Sequence, residues 1–177
     1  IMFHVVSSGM IAVMTQYIGA KRIGIAYQAR QLGAVFNAVL GFALSIFLFV
    51  FSGKILEIVG VAPLLMEYAK TYLKIVGGCC FLNALIPIFS SYLRAFGYTK
   101  QPLIATLVAN GVNLGLNAVF LFGLHAGVAG VAWATVLSRI LNLGIVIVVS
   151  KLLVKAKEDP ERLKNREVFA QIIKVGL

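Results

Sequence analysis

The sequence predicts an all-α, polytopic transmembrane helix bundle of about five spans. Three observations carry this. Of 177 residues, 60% are hydrophobic and 12% charged, whereas soluble domains run at about 45–50% apolar and about 25% charged. Apolar runs nearly free of charge recur at about 20 residues, the length a helix needs to cross the hydrocarbon core. The charges collect between those runs. A chain this rich in aliphatic residues is not a disordered one either.

The first run is residues 1–18. The sequence opens on Ile1, already inside an apolar stretch, and stops at Leu177 just after an apolar restart at Ile172, Ile173 and Val175. We therefore expect a piece of a longer membrane protein, with its first span truncated. Residues 1–18 lack a basic leading segment and are followed by another span, so they do not read as a signal peptide. The second run is residues 31–52. The third is 72–93, with no charge between Lys74 and Arg94; Pro87 within it is expected to kink the helix and free a carbonyl. The fourth is 102–123, where Gly111 and Gly115 form a GxxxG pattern expected to admit a close neighbour. The fifth is 128–150, interrupted only by Arg139. Runs of this length without period-two alternation select helices over barrel strands. Gly19, Gly97, Gly123, Gly127 and Gly130 are expected at turns. Residues 1–150 thus read as the transmembrane bundle. Residues 151–177 read as a basic cytoplasmic linker, KEDPERLKNRE at its heart, and the start of the next helix, with Pro160 opening a short helix of its own.

The net charge of +10 follows membrane topology. Basic and neutral loops alternate, as the positive-inside rule requires. This places loops 19–30, 94–101 and 151–171 in the cytoplasm, and 53–71 and 124–127 outside. The basic stretches are therefore solvated loops, and nucleic acid is not an expected partner; the lipid bilayer is. Cys79 and Cys80 are adjacent in an apolar run, so no disulfide is expected between them. No metal-ligand spacing, nucleophile elbow or phosphate loop occurs, and all six acids lie in loops or at span edges. An enzyme is not expected, and no cofactor.

Span four holds the informative pattern. Thr106, Asn110, Asn113 and Asn117 are spaced 4, 3 and 4, one face of a helix. Amides in a span are costly unless partnered. Either they hydrogen-bond between packed helices, or they line a polar cavity whose carbonyl oxygens suit a cation or a protonated acid. Thr135, Ser138 and Asn142 form a second stripe in span five. Arg139 beside them is deep for snorkelling, and an intramembrane arginine marks either a functional site or a pairing with helix carbonyls. Asn37, Ser45, Asn83, Ser90 and Ser91 are expected to pack between helices, Tyr92 and Tyr98 to join an interfacial aromatic belt, and Trp133 to fill space.

Three stretches carry a resemblance: TQYIGAKR closing span one, YLRAFGYTKQPL between spans three and four, and VNLGLN followed by GVAGVAWATVLSR. In this order and spacing, across nearly the whole chain, they resemble the multidrug and toxic compound extrusion (MATE) family of cation-coupled exporters. The resemblance implies a 12-helix transporter of two six-helix lobes, with these spans as helices two to six of the N-terminal lobe, in the plasma membrane. It implies small organic, often cationic, substrates, exported by alternating access against sodium or proton influx. It further implies that Asn113, Asn117 and Thr135 help bind the coupling cation, with Asn110 and Arg139 lining the cavity. The acid that family members carry on helix one is not in this chain, and the C-terminal lobe would be its partner. Some members have aspartate where Asn117 stands, so the amide removes a titratable group. The resemblance favours a functional reading of the asparagine stripe. Alternatives are a lipid-linked oligosaccharide flippase of the same superfamily, which would want more than one cation inside the spans, and a non-transporting membrane scaffold.

Overall fold

A computed structural model describes residues 2–154 and 165–176; side chains are described from residue 7 onward, except those of 166, 169, 173, 175 and 176. The described residues are helical with no strand. The helices are α1 (Met2–Gly19), α2 (Ile23–Ile58), α3 (Pro63–Tyr72), α4 (Cys80–Ala95), α5 (Lys100–Ala118), α6 (Gly127–Leu153) and α7 (Asn165–Gly176). A wide π turn, Leu73–Gly77, continues α3, and a second, Val119–Gly123, continues α5. Ile23–Ile58, Lys100–Gly123 and Gly127–Leu153 are each long and apolar enough to cross a membrane, and Pro63–Gly77 with Cys80–Ala95 makes a fourth crossing if the bent pair is one span. α1, with Ser7, Ser8, Thr15 and Gln16, is not among them.

The helices outrun the apolar runs. α2 has 36 residues, about 54 Å at 1.5 Å per residue, against about 30 Å of hydrocarbon. Most of the sequence expected as loop 19–30 is therefore helix, leaving only a short turn at residues 20–22, and residues 53–58 are helix too. The reason is that charge is sorted by depth, not by conformation: Arg30 and Lys54 suit a helix wherever it reaches the headgroups. The turn after α4 is also short. It closes at Gly97, whose φ of +86° is the left-handed geometry that glycine adopts without a steric cost.

The core lies where α1, α2 and α4 meet. Met10, Val13 and Met14 of α1, Ile25, Ala26 and Ala29 of α2, and Ile88, Tyr92 and Leu93 of α4 are fully buried or nearly so. α7 closes one end: Val168 and Ile172 are buried in the same core, and the Tyr17 hydroxyl donates to Gln171 Oε1 at 2.9 Å. By contrast the outer faces of α2, α5 and α6 present bare Val, Leu, Ile and Phe, as lipid-facing helices do.

The crossing of α2 and α4 is built on residues four apart: Gly33, Asn37, Gly41 and Ser45, all buried. A Cβ on Gly41 would lie 2.8 Å from the Phe81 Cα and 2.9 Å from the Ala84 Cβ, so only hydrogen lets the backbones approach this closely. Asn37 Nδ2 donates to the Ala84 carbonyl at 3.0 Å. The Phe81 amide donates to Ser45 Oγ at 3.2 Å. That amide is in the first turn of α4 (Cys80–Ala95), where N–H groups have no partner within their own helix, so Ser45 caps α4 from across the interface. Phe42 stacks on Phe81 with centroids 4.6 Å apart.

Five expectations are corrected. The bend in span three is not at Pro87, which sits within a continuous α4; it is the 40° break between Gly77 and Cys80, where a π turn meets the Gly77–Gly78 pair, two features that kink helices. The GxxxG pattern admits no neighbour, since nothing lies within 4 Å of a Cβ at Gly111 or Gly115. Gly130 is inside α6 rather than at a turn; a Cβ there would lie 2.8 Å from Phe120 Cβ, so this glycine lets the second π turn close on α6. Tyr92 is buried at 1% exposure, not part of an interfacial belt, and Trp133 is 51% exposed rather than filling the interior. Asn37, Ser45, Ser90 and Ser91 do pack as expected. The expected helix start at Pro160 lies outside the described residues.

Gly41→Leu should lower the thermal unfolding midpoint in detergent by an amount equivalent to about 1–3 kcal/mol or more, because the clash is with backbone. Gly111→Ala, in open space on α5, should be neutral or stabilising by up to about 1 kcal/mol. Equal responses of the two variants would refute the crossing geometry.

Candidate functional site

α5 and α6 pack along each other, and the two polar stripes singled out in spans four and five fall on this pair. The structure brings Asn113 and Asn117 together: one helical turn apart, they bond side chain to side chain, Asn117 Nδ2 donating to Asn113 Oδ1 at 3.1 Å. Both residues are half-buried. Asn117 Oδ1 is shielded from solvent and has no hydrogen-bond partner. An amide oxygen in that condition is a hard acceptor awaiting a donor or a cation. Asn113 Oδ1 keeps a second lone pair beyond the one Asn117 uses.

The other stripe members are disposed differently. Thr106 Oγ1 donates back to the Pro102 carbonyl at 2.9 Å. Thr135 Oγ1 donates to the Val131 carbonyl of its own helix at 3.0 Å, so its hydroxyl is not bonded to the asparagine pair, though its oxygen lone pairs remain open. Ser138 Oγ likewise bonds the Ala134 carbonyl at 2.7 Å. Asn110 is exposed on α5. Asn142 is buried in α6, and its Oδ1 has no partner. Arg139 is half-buried in α6, which packs against α4. Both cysteines are free. Among the described residues no cluster of three or more His, Cys, Asp or Glu side chains is present.

Two features of this region were not singled out by sequence. One is Gln101, whose Oε1 is buried without a partner at the start of α5; it lies one residue before the apolar run 102–123 and belongs to no polar stripe. The other is the unpartnered Asn142 oxygen, which spacing alone could not separate from the bonded Ser138 beside it.

Over residues 1–119 the sequence matches the MatE family. The chain belongs to the MATE family. It is 30% identical to the uncharacterized transporter YisQ of Bacillus subtilis, across the whole of this chain and 40% of that protein. It is 33% identical to the probable multidrug resistance protein NorM of Thermotoga maritima, over 57% of this chain and 25% of that protein. The fold is similar to that of a crystal structure of MATE in a bent conformation, with a TM-score of 0.87 at 21% identity over 98% of this chain and 40% of the other. The chain thus spans less than half the length of the relatives it matches. Membership in this transporter family and the bare apolar helices make it an integral membrane protein. On the MATE fold, the asparagine pair sits on the helix that α6 flanks on one side and that is otherwise largely uncovered here: Asn110, Gly111, Val112, Leu114 and Gly115 are exposed.

Asn142→Leu should raise the unfolding midpoint in detergent, because it removes a buried amide oxygen without a partner, a group whose burial costs about 1–3 kcal/mol. A fall in the midpoint would show that the Asn142 amide is satisfied in the folded protein.

Proposed function

We propose that this chain provides much of one lobe of a cation-coupled exporter of small organic compounds, with Asn113 and Asn117 as part of its cation site. The observation that carries this is the Asn117 Oδ1 atom: shielded from solvent, without a donor, and held in place by its own amide nitrogen bonded to Asn113. Thr135, on the helix packed against α5, would add a hydroxyl oxygen. These are hard oxygen donors, matched to sodium or to a hydrated proton. None of the six acids lies on α5 or α6, so a bound cation would draw its counter-charge from outside these two helices. In the proposed mechanism, cation and substrate prefer opposite facings of the lobe, and each ion that enters shifts the equilibrium toward substrate release. The turns at 20–22 and 96–99 and the stretch joining α6 to α7 would then face the cytoplasm, following the basic residues. Asn110 and Arg139 would line the path rather than bind the ion. The relatives named for multidrug resistance or export support organic substrates.

The test is dye efflux from vesicles holding the protein expressed from its complete reading frame, under imposed sodium or proton gradients. Asn117→Leu should lower gradient-driven efflux by about tenfold or more while leaving folding intact, as expected when a charge-assisted contact of about 1.5–3 kcal/mol is lost. Asn117→Asp should retain efflux at neutral pH and lose it as pH falls and the new carboxyl protonates, whereas the parent amide does not titrate. Unchanged, gradient-dependent efflux in Asn117→Leu would overturn the site.

A further inference from the structure

At the basic end of α2 the Arg30 guanidinium is set among three rings. It lies 4.3 Å from the Tyr27 centroid, 4.7 Å from Tyr92 and 5.7 Å from Phe89. Rings hold a guanidinium through its flat face and leave its N–H donors free in the plane. Among the described residues those donors meet no carboxylate and no hydrogen-bond acceptor. Arg30 is also half-buried, so an uncompensated charge is fixed at the edge of the apolar layer, where leaving it unpaired is costly.

Beside it opens a cavity of about 520 Å³ lined by Gln28, Arg30, Gln31, Val35, Phe89 and Asn165 among others. Along α2 its lining passes from a polar wall to an apolar one. The polar wall is Arg30, Gln31 and the Gln28 side chain, which donates from Nε2 to Asn165 Oδ1 and so ties α7 to α2 at the cavity. The apolar wall is Leu32, Ala34 and Val35, with the Phe89 ring of α4 beside them. Val35 is 64% exposed on the outer face of α2, so the apolar wall runs on to the lipid-facing surface. The division falls at Gln31, where the charge-free run of α2 begins.

We propose that this cavity binds the headgroup of an anionic phospholipid, its phosphate on the Arg30 N–H donors and its acyl chain along Val35. A planar guanidinium offers the paired donors that phosphate oxygens accept. The apolar wall selects a lipid over a free anion, because a soluble phosphate gains nothing from Val35 and Phe89. Basic pockets between helices at a membrane border are where such headgroups settle. Because α7 forms part of the mouth through Asn165, an occupied cavity also braces α7 on α2. The inference needs only the membrane location of α2 and is independent of the transported substrate.

The experiment is native mass spectrometry of the protein from its complete reading frame, in detergent with equal amounts of phosphatidylglycerol and phosphatidylcholine. The wild type should retain phosphatidylglycerol selectively. Arg30→Gln should bind it about tenfold more weakly. Val35→Trp, a change on an exposed position that does not touch the core, should fill the apolar wall and also displace the lipid, which guards against Arg30→Gln failing to fold. Equal retention of the two lipids by the wild type would overturn the proposal, as would undiminished selectivity in both variants. So would full displacement of phosphatidylglycerol by millimolar inorganic phosphate, which would mark a free-anion site. Selectivity that emerges only after Glu158, Asp159 and Glu161 are neutralised would make the linker the occupant of the cavity and also refute it.

Discussion

The close approach of α2 and α4 at Gly41 is the contact on which the rest of the structure depends. In a bilayer there is little hydrophobic force between helices, since lipid tails are as apolar as leucine, and association rests on close packing and interhelical hydrogen bonds. The α2 face Gly33, Asn37, Gly41, Ser45 supplies both. Hydrogen in place of a side chain at Gly41 brings the backbones together, and only at that separation can Asn37 reach the Ala84 carbonyl and Ser45 cap the Phe81 amide. The cap in turn makes the break before α4 tolerable, because a helix that restarts inside a membrane has orphan N–H groups with no water to satisfy them. Seating α4 on α2 then sets Ile88, Tyr92 and Leu93 against α1, and Tyr92 under Arg30.

From that nucleus outward the structure becomes thinner and more polar in its purpose. α5 and α6 are joined to the core through α4 and the π turns, and much of α5 has no protein neighbour. It is on α5 that the asparagines collect. Asn37 spends its amide nitrogen on a neighbouring helix, whereas the amides of Asn113 and Asn117 bond within α5. In that pair one amide nitrogen fixes the two side chains together, and the Asn117 oxygen has no partner.

The polar residues of α2 and α5 look alike in sequence and differ in their partners. Asn37 and Asn117 both occupy positions in apolar runs at helical spacing. Asn37 is fully buried and its amide nitrogen bonds a carbonyl across an interface, although its oxygen, like that of Asn117, has no partner; Asn117 bonds only within its own helix. The GxxxG of α5 shows the same ambiguity, since it matches the close-packing pattern and packs against nothing, while Gly33 and Gly41, eight residues apart, make the close approaches. Spacing tells which residues share a face, and not which face meets protein.

The sequence by itself determined that the chain is helical and membrane-embedded, roughly where the apolar runs lie, which residues share the α5 stripe, and which family the chain resembles. Those properties are local: they follow from composition over about 20 residues, from a period of 3.6, and from short ordered motifs. Only the tertiary structure decided that the bend falls at Gly77–Cys80 rather than at Pro87, that α2 carries its charges on helix rather than loop, that Arg30 stands ringed beside a cavity with a polar and an apolar wall, and that the Asn117 oxygen is shielded without a donor. Each of these depends on which neighbour satisfies a polar group or fills a gap, and in a bilayer, where neither water nor apolar burial makes that choice, the contacts between helices make it.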